Sequence, residues 1–317
     1  MPRHLLGIEE LSKEELLDYL ANAAKFVEVS ERDIKKVPAL RGKTVINLFL
    51  EPSTRTRTSF EIAGKRLSGD VINISASTSS TVKGETLLDT ARTLEAMSPD
   101  ILVVRHKESG AAHFLAGRLG QASVVNAGDG LHEHPTQALL DCLSLMQRFQ
   151  KGPEELTGLK IAIVGDVCHS RVARSNIWAH KLLGNCINLV GPPTLIPPGF
   201  AEFGGEEVSV FHNLEEGVAG ADVVMCLRLQ LERQEQNFVP SLQEYTNEYI
   251  VTEDLLKRVA PKAVVMHPGP VNRGTEVQSA LIDGPRSLMR EQVRNGVAVR
   301  MAVLFGLAAG PRQMVEE

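Results

Sequence analysis

The chain has 317 residues, of which 43% are hydrophobic, and its 34 basic and 39 acidic side chains leave a formal net charge of −5. Such a length suits two domains of about 150 residues better than one. The mildly negative balance argues against a nucleic-acid-binding or membrane-surface protein, and no apolar run reaches the roughly 18 residues that span a bilayer.

The four cysteines are scattered along the chain and form no C-x-x-C pair; they are Cys142, Cys168, Cys186 and Cys226. This distribution argues against a disulfide framework or a structural zinc site and indicates reduced thiols. Residues 1–20 carry acidic side chains too early for a signal peptide and have the pattern of an amphipathic helix. A cytoplasmic protein is therefore the expectation.

Short β-branched runs alternate with helical patterns throughout the chain. The predicted strands are Thr44–Leu50, Val71–Ser75, Ile101–Val104, Ser123–Asn126, Lys160–Val164, Ile187–Val190, Val208–Phe211, Asp222–Cys226 and Ala263–His267. Helical spacing is clear at Leu139, Cys142, Leu143 and Met146, which follow an i, i+3, i+4, i+7 pattern. Apolar strands that alternate with helices predict parallel sheets covered on both faces.

One segment, residues 150–158, interrupts this alternation, and a new apolar strand begins just after it. We therefore predict an α/β protein of two doubly wound parallel-sheet domains, residues 1–150 and 151–295, with a cleft between them where ligands bind. The apolar C-terminal helix, at about residues 296–310, is expected to pack back on the first domain.

The first candidate site follows strand Thr44–Leu50, where Ser53-Thr-Arg-Thr56 leads into a helix. Ser53 is a natural N-cap. Free N–H groups and the helix dipole make such a turn an anion site, and Thr54, Arg55 and Thr56 add donors suited to phosphate. The alternative is an ordinary capped helix with surface arginines; a nucleotide P-loop is excluded because G-x-x-x-x-G-K is absent.

Two further candidates lie in the first half. Arg105 directly follows strand Ile101–Val104, at the sheet edge where ligands are expected, although a solvated arginine is the simpler interpretation. Farther along, His134 and Gln137 flank Pro135, which fits the first turn of a helix. His132 and His134 raise the question of a metal, but no cysteine or third histidine has ligand-like spacing, so no metal site is predicted.

Three candidates lie in the second half. Arg171 follows strand Lys160–Val164 in a segment that has the start of a nucleotide-binding unit but lacks G-x-G-x-x-G. After Cys226, Arg228 and Gln230 alternate with leucines and could point one way, although a strand with a polar face would have the same pattern. After His267, prolines stiffen a loop whose backbone carbonyls have no ladder to enter and could accept hydrogen bonds from a ligand amide.

Together these motifs resemble the aspartate/ornithine carbamoyltransferase family over nearly the whole chain. STRTRTSFE and HPTQALLD are highly specific to that family. Within it, SSTVKGET, RLQLER and HPGP resemble the aspartate enzymes, and the HCLP sequence of the ornithine enzymes is not found. Gly269 departs from the leucine of some members, which puts the rigidity of that loop in question.

The resemblance implies a carbamoyl-phosphate domain, an aspartate domain and a homotrimer whose active sites are shared between neighbouring chains. By motif match, Ser53, Thr54, Arg55 and Thr56 would hold the phosphate; Thr56, Arg105 and His134 would polarise the carbonyl oxygen; Gln137 and the backbone at Gly269 and Pro270 would hold the carbamoyl amide; Arg171, Arg228 and Gln230 would bind aspartate; and Ser79 and Lys83 would enter from the adjacent chain.

The implied reaction is carbamoyl transfer from carbamoyl phosphate to L-aspartate in pyrimidine biosynthesis, and it needs no cofactor. The alternatives are a carbamoyltransferase for another amine such as ornithine, against which the paired arginines argue, and an inactive scaffold member, which should have lost Arg55, Arg105 or Lys83. Chains of this family occur as bare trimers, with regulatory chains or with dihydroorotase, and the sequence does not choose among these assemblies.

Overall fold

A computed structural model describes residues 2–75, 84–230 and 238–309. The described chain forms two compact units. The first runs to Leu143 and resumes at Arg294, and the second is Ser144–Val293. Both limits fall inside helices. The two units each contain a parallel sheet flanked by helices, which confirms the predicted α/β class.

The first unit is built from alternating helices and strands, which are α1 (Lys13–Glu31), β1 (Thr44–Phe49), α2 (Thr54–Arg66), β2 (Asp70–Ser75), α3 (Leu87–Glu95), β3 (Ile101–His106), α4 (Ala111–Ala116), β4 (Ser123–Asp129) and the start of α5 (Pro135–Phe149). The four strands are parallel in the order β2-β1-β3-β4. Side chains such as Leu48, Val104 and Val124 form an apolar core with Ala91 and Leu115 of the helices.

The second unit contains β5 (Lys160–Val164), α6 (Arg171–Leu182), β6 (Cys186–Val190), α7 (Gly199–Gly204), β7 (Val208–Phe211), α8 (Leu214–Val218), β8 (Val223–Cys226), α9 (Leu242–Tyr249), α10 (Glu253–Val259), β9 (Val264–Met266), α11 (Ser279–Asp283) and the start of α12 (Met289–Ala309). Its parallel sheet has the order β7-β6-β5-β8-β9. The nine strands within the described ranges confirm the nine predicted ones, with ends that differ by a few residues.

The N-terminal helix begins later than predicted. Ser12 caps α1 in a reciprocal pair, because its hydroxyl accepts from the Glu15 N–H while the Glu15 carboxylate accepts from the Ser12 N–H. Before the cap, the chain is extended, and the Leu5 N–H and C=O bond to Val124 and Asn126 along β4. The helical prediction was therefore wrong for residues 2–12, where the backbone of Leu5 bonds to β4 instead and the apolar side chains of Leu5 and Ile8 are fully buried. No helix in the described part of the chain is long and apolar enough to cross a membrane.

Candidate active site

Each sheet has one point at which the strand order reverses, and ligands bind at the carboxyl ends of the strands there. In the first sheet that point lies between β1 and β3, where Phe49 pairs with Arg105. In the second sheet it lies between β5 and β8, where Val164 pairs with Cys226. The predicted site residues that follow β1 and β3 lie at the first point, and those that follow β5 and β8 lie at the second.

The turn after β1 has the predicted form of a capped helix start. The Ser53 hydroxyl accepts from the Thr56 N–H at 3.4 Å, and α2 begins at Thr54. Phe60, Ala63 and Leu67 are fully buried, so one face of α2 is fixed against the sheet. Its first turn therefore holds Thr54 and Arg55 exposed and Thr56 buried, with backbone N–H groups pointing along the dipole.

Arg105 is held at the end of β3 by a carbonyl of β4 and by a carboxylate that follows β1. Its Nη1 donates to the Ala127 carbonyl at 3.0 Å, and its Nη2 donates to Glu51 Oε1 at 3.1 Å. The side chain is only about one-tenth exposed, so the interpretation as a solvated arginine is wrong. The guanidinium is fixed beside the residues that follow β1.

The segment from His134 to Gln137 forms the start of α5, and Pro135 occupies the predicted first position. His134 is buried, and its carbonyl accepts from the Gln137 N–H at 2.8 Å. Gln137 Nε2 donates to the buried Asp141 at 2.9 Å, one turn later. This bond turns the amide so that its oxygen can accept from a ligand.

A buried arginine of α12 supports the same helix start. Arg300 Nη2 donates to the Thr136 hydroxyl at 3.3 Å, and its guanidinium lies over the Phe60 ring of α2 at 5.1 Å. Burial lowers the pKa of Arg300 to about 9. Arg300 therefore links α2, which begins at Thr54, to α5, which begins at Pro135.

In the second unit, Asp166 organises the end of β5. Its fully buried carboxylate accepts from His169 Nδ1 at 2.7 Å and from the Gln230 N–H at 3.2 Å. Ser170 caps α6, whose first residue is the buried Arg171. One carboxylate thus holds together the turn before Arg171 and the backbone of Gln230.

The residues after β8 alternate as predicted. Leu227 and Leu229 are buried, and Leu229 packs against Leu195 and Tyr245. Arg228 and Gln230 are half-buried on the other side of the chain.

The loop after β9 is held by buried side chains. His267 Nδ1 accepts from the Gly269 N–H at 2.8 Å, and His267 Nε2 faces Glu276 Oε1 at 3.3 Å. The same carboxylate oxygen accepts from the Asn272 N–H at 2.7 Å. Gly269 has a φ of +65°, a left-handed conformation that glycine adopts without strain. The peptide bond from Gly269 to Pro270 is cis.

Some site predictions are not addressed by this geometry. Ser79 and Lys83 lie outside the described residues. The sequence did not single out Asp141, Asp166 and Glu276, which hold predicted site residues or their loops in place. Asp166 carried a usable signal, because it lies two residues after the end of β5, where ligand-site residues of these sheets are found.

The sequence matches two domains of one family. Residues 3–147 match the aspartate/ornithine carbamoyltransferase carbamoyl-P binding domain, and residues 157–307 match the Asp/Orn binding domain. The chain belongs to the aspartate/ornithine carbamoyltransferase family. Within this family it is 57% identical over 310 residues to the aspartate carbamoyltransferase catalytic subunit of Syntrophotalea carbinolica, covering 98% of this chain and 96% of that protein.

Solved structures of the family share the fold. The aspartate transcarbamoylase of Trypanosoma cruzi, in complex with carbamoyl phosphate and aspartate, is 31% identical with a TM-score of 0.84, and 95% of each chain is covered. The ornithine carbamoyltransferase of Pyrococcus furiosus is 29% identical with a TM-score of 0.82, again over 95% of each chain. Because both branches of the family have this fold, the choice of amine depends on the side chains of the site.

Proposed function

We propose that this chain transfers the carbamoyl group of carbamoyl phosphate to the amino group of L-aspartate, giving N-carbamoyl-L-aspartate and phosphate. The observation that carries the proposal is the arginine pair at the second sheet's reversal point, where Arg171 begins α6 and Arg228 follows β8. Two arginines suit the two carboxylates of aspartate, whereas the cationic side chain of ornithine would be repelled.

The first unit supplies the carbamoyl-phosphate site. Ser53, Thr54, Arg55 and Thr56 hold the phosphate at the N-terminus of α2, where the helix dipole and free N–H groups favour an anion. When the amine attacks the carbonyl carbon, charge develops on the carbonyl oxygen. Thr56, Arg105 and His134 stabilise that charge as an oxyanion hole. The carbon–oxygen bond to phosphate then breaks, and the departing phosphate takes the proton that the amine releases.

The remaining groups orient the two substrates. The Gln137 amide oxygen and the backbone carbonyls at Gly269 and Pro270 accept hydrogen bonds from the carbamoyl NH₂. Arg171, Arg228 and Gln230 bind the aspartate carboxylates. Holding carbamoyl phosphate and aspartate in the right mutual orientation supplies much of the rate enhancement of such a transfer.

The assembly we propose is a homotrimer in which Ser79 and Lys83 enter the site of the adjacent chain, as in the family the chain belongs to. We also propose a cytoplasmic location, since the four cysteines are free and Cys186 is exposed, as is usual where thiols stay reduced. Pyrimidine biosynthesis is the pathway that consumes the proposed product.

A substrate comparison tests the proposed reaction. Phosphate release from carbamoyl phosphate is measured with L-aspartate and with L-ornithine at equal concentrations. We expect phosphate release with aspartate and none with ornithine. Phosphate release with ornithine but not with aspartate would contradict the assignment of Arg171 and Arg228. A folded chain that is inactive with both amines would favour the inactive scaffold.

A further inference from the structure

A cluster of metal-ligating side chains lies on the first unit, in the segment that leads to His134. His113 of α4 and His132 come together although they are far apart in sequence, and their rings meet edge to face with centroids 5.3 Å apart. Asp129, at the end of β4, faces His132, with its Oδ2 at 3.2 Å from Nδ1. One ligand atom from each of these three residues lies within 4.8 Å of the others.

The hydrogen bonds of His113 fix which of its nitrogens is available. Its Nε2 lies against the Glu10 carboxylate, which can only accept, so Nε2 carries the proton. Nδ1 then holds a bare lone pair, and within the described chain this buried atom has no hydrogen-bond partner. A histidine that donates one N–H to a carboxylate and presents its other nitrogen is the usual arrangement of a metal ligand and its supporting residue.

The two carboxylate oxygens of Asp129 differ in the number of other donors that they accept from. Its Oδ1 accepts from Asn126 Nδ2 and the Glu133 N–H, whereas Oδ2 accepts from one backbone donor, the Gly110 N–H at 2.7 Å. His132 Nδ1 lies 3.2 Å from both oxygens of Asp129, and of the two it is Oδ2 that has a lone pair left after its backbone and amide donors are counted. The 3.2 Å between Nδ1 and Oδ2 is close to the roughly 3.3 Å that separates neighbouring ligands of a tetrahedral ion with bonds of about 2.0–2.1 Å.

We propose that His113, Asp129 and His132 bind one divalent transition-metal ion of the zinc type. Two imidazoles and one carboxylate suit zinc, cobalt or nickel rather than the oxygen-preferring magnesium or calcium. Both histidine side chains are about one-third exposed, at 33% and 30%, so they have room for the rotation that brings all three ligand atoms onto one ion. The ion replaces the proton between His132 and Asp129.

The groups around the cluster are predominantly acidic. The hydrogen bond with Asp129 raises the pKa of His132, and although burial opposes it, the hydrogen bonds from His132 and Asn126 lower the pKa of Asp129. Glu9, Glu10 and Glu133 also face the two histidines, and Glu9, His132 and Glu133 form a second, overlapping group of ligand atoms. These carboxylates surround the two histidines with negative charge, which favours a cation.

The test is zinc titration of the tag-free full chain by calorimetry, in a Cys186→Ser background that removes the exposed thiol as a competing ligand. One zinc per chain is expected in the parent. His113→Gln and His132→Gln should each weaken binding by at least about tenfold, and Glu10→Ala by a similar factor through the tautomer of His113. His212→Gln, an exposed histidine outside the cluster, is the matched control.

Zinc should also raise the melting temperature of the parent and of the His212 variant but not that of the His113 or His132 variants. Metal-free melting curves show that each variant is folded, and His113 is exposed enough for substitution to leave the fold intact. Absence of saturable binding in the parent, or equal binding in both cluster variants, means an adventitious ion only and overturns the proposal. Loss in the His132 variant alone would assign the ion to Glu9 and Glu133 and would equally overturn it.

Discussion

Arg55 and Arg105 belong to the same proposed carbamoyl-phosphate site but are held in opposite ways. Arg105 is buried between Glu51 and the Ala127 carbonyl, so its removal would strand a carboxylate and a carbonyl as well as a donor. Arg55 is exposed on the first turn of α2, whose core face consists of other residues. Arg55 therefore reports on catalysis with the least disturbance of the fold.

We predict that Arg55→Ala lowers kcat by roughly 10²–10³-fold, the usual loss when one donor to a developing negative charge is removed. Steady-state kinetics measure the effect, and circular dichroism checks the fold. Lys65→Ala is the matched control, because it removes an exposed cation from the other end of the same helix. Near-normal turnover in folded Arg55→Ala would remove this residue from the mechanism.

His180 gives a prediction for stability. It is fully buried in α6, its Nδ1 contacts Asn185 Nδ2 at 3.0 Å, and burial lowers its pKa from 6.5 to about 4. Between pH 6.5 and about pH 4, His180 is protonated in the unfolded chain but stays neutral in the folded chain. Stability is therefore lost as the pH falls through this window, by up to roughly 1.4 kcal/mol per pH unit.

Urea unfolding followed by fluorescence measures this loss, because the single tryptophan, Trp178, lies on the same helix. His180→Gln should be less stable at neutral pH and should show a shallower decline between pH 6.5 and 4. His212→Gln, at an exposed histidine of the same unit, should keep the parent's slope. If the slope of His180→Gln equals that of the parent, His180 does not titrate as its burial requires.

At the scale of elements, the sequence predicted what depends on local pattern. Strands of buried β-branched residues, the Ser53 cap and Pro135 at the start of α5 are all local signals, and all are confirmed. The partners of the site residues are not local. Arg105 meets Glu51, and Gln230 meets Asp166, only because parallel pairing aligns β1 with β3 and β5 with β8. A sequence without its strand register cannot supply these pairs.

The loop after β9 gives the prediction for this scale. Glu276 holds its two ends, through the Asn272 N–H and through His267, which in turn accepts from the Gly269 N–H. Glu276→Ala should misplace the carbonyls at Gly269 and Pro270, raising the KM for carbamoyl phosphate and reducing kcat/KM by up to about 100-fold.

The conservative variant separates positioning from charge. Glu276→Gln keeps an oxygen that can accept from the Asn272 N–H and from His267, so it should retain most of the activity. Parent, alanine and glutamine variants are compared by substrate kinetics, with tryptophan fluorescence as the measure of folding. Unchanged kinetics in a folded alanine variant would show that the loop does not depend on Glu276.

At the scale of the molecule, both units follow the same plan, with an arginine near the reversal point of a parallel sheet, where ligands of such sheets bind. The sequence predicted this plan because each half repeats apolar strand, polar turn and helix. It could not predict that His113 lies beside His132, since that contact depends on how α4 packs against β4. The structure of a single chain also gives no information on the proposed sharing of active sites between chains, so that proposal needs its own test.

Lys83 provides that test. It belongs to the polar, glycine-containing sequence Ser79–Thr86, and in the proposed homotrimer it would enter the neighbouring chain's site. Lys83→Gln removes the charge that would meet phosphate and carboxylate, and Arg55→Ala removes the donor of the receiving site. Each variant should therefore be nearly inactive as a homotrimer.

Mixing the two inactive variants distinguishes a shared site from one within a single chain. In hybrid trimers, some interfaces join an intact Arg55 to an intact Lys83 of the next chain, so we expect activity to return in proportion to the fraction of such interfaces. Each substitution removes one positive charge, so the two variants have the same net charge. A charged tag on one of them therefore allows the hybrids to be separated by ion exchange after dissociation and reassembly. Mixed trimers that form but recover no activity would place Lys83 within its own chain's site or outside the mechanism.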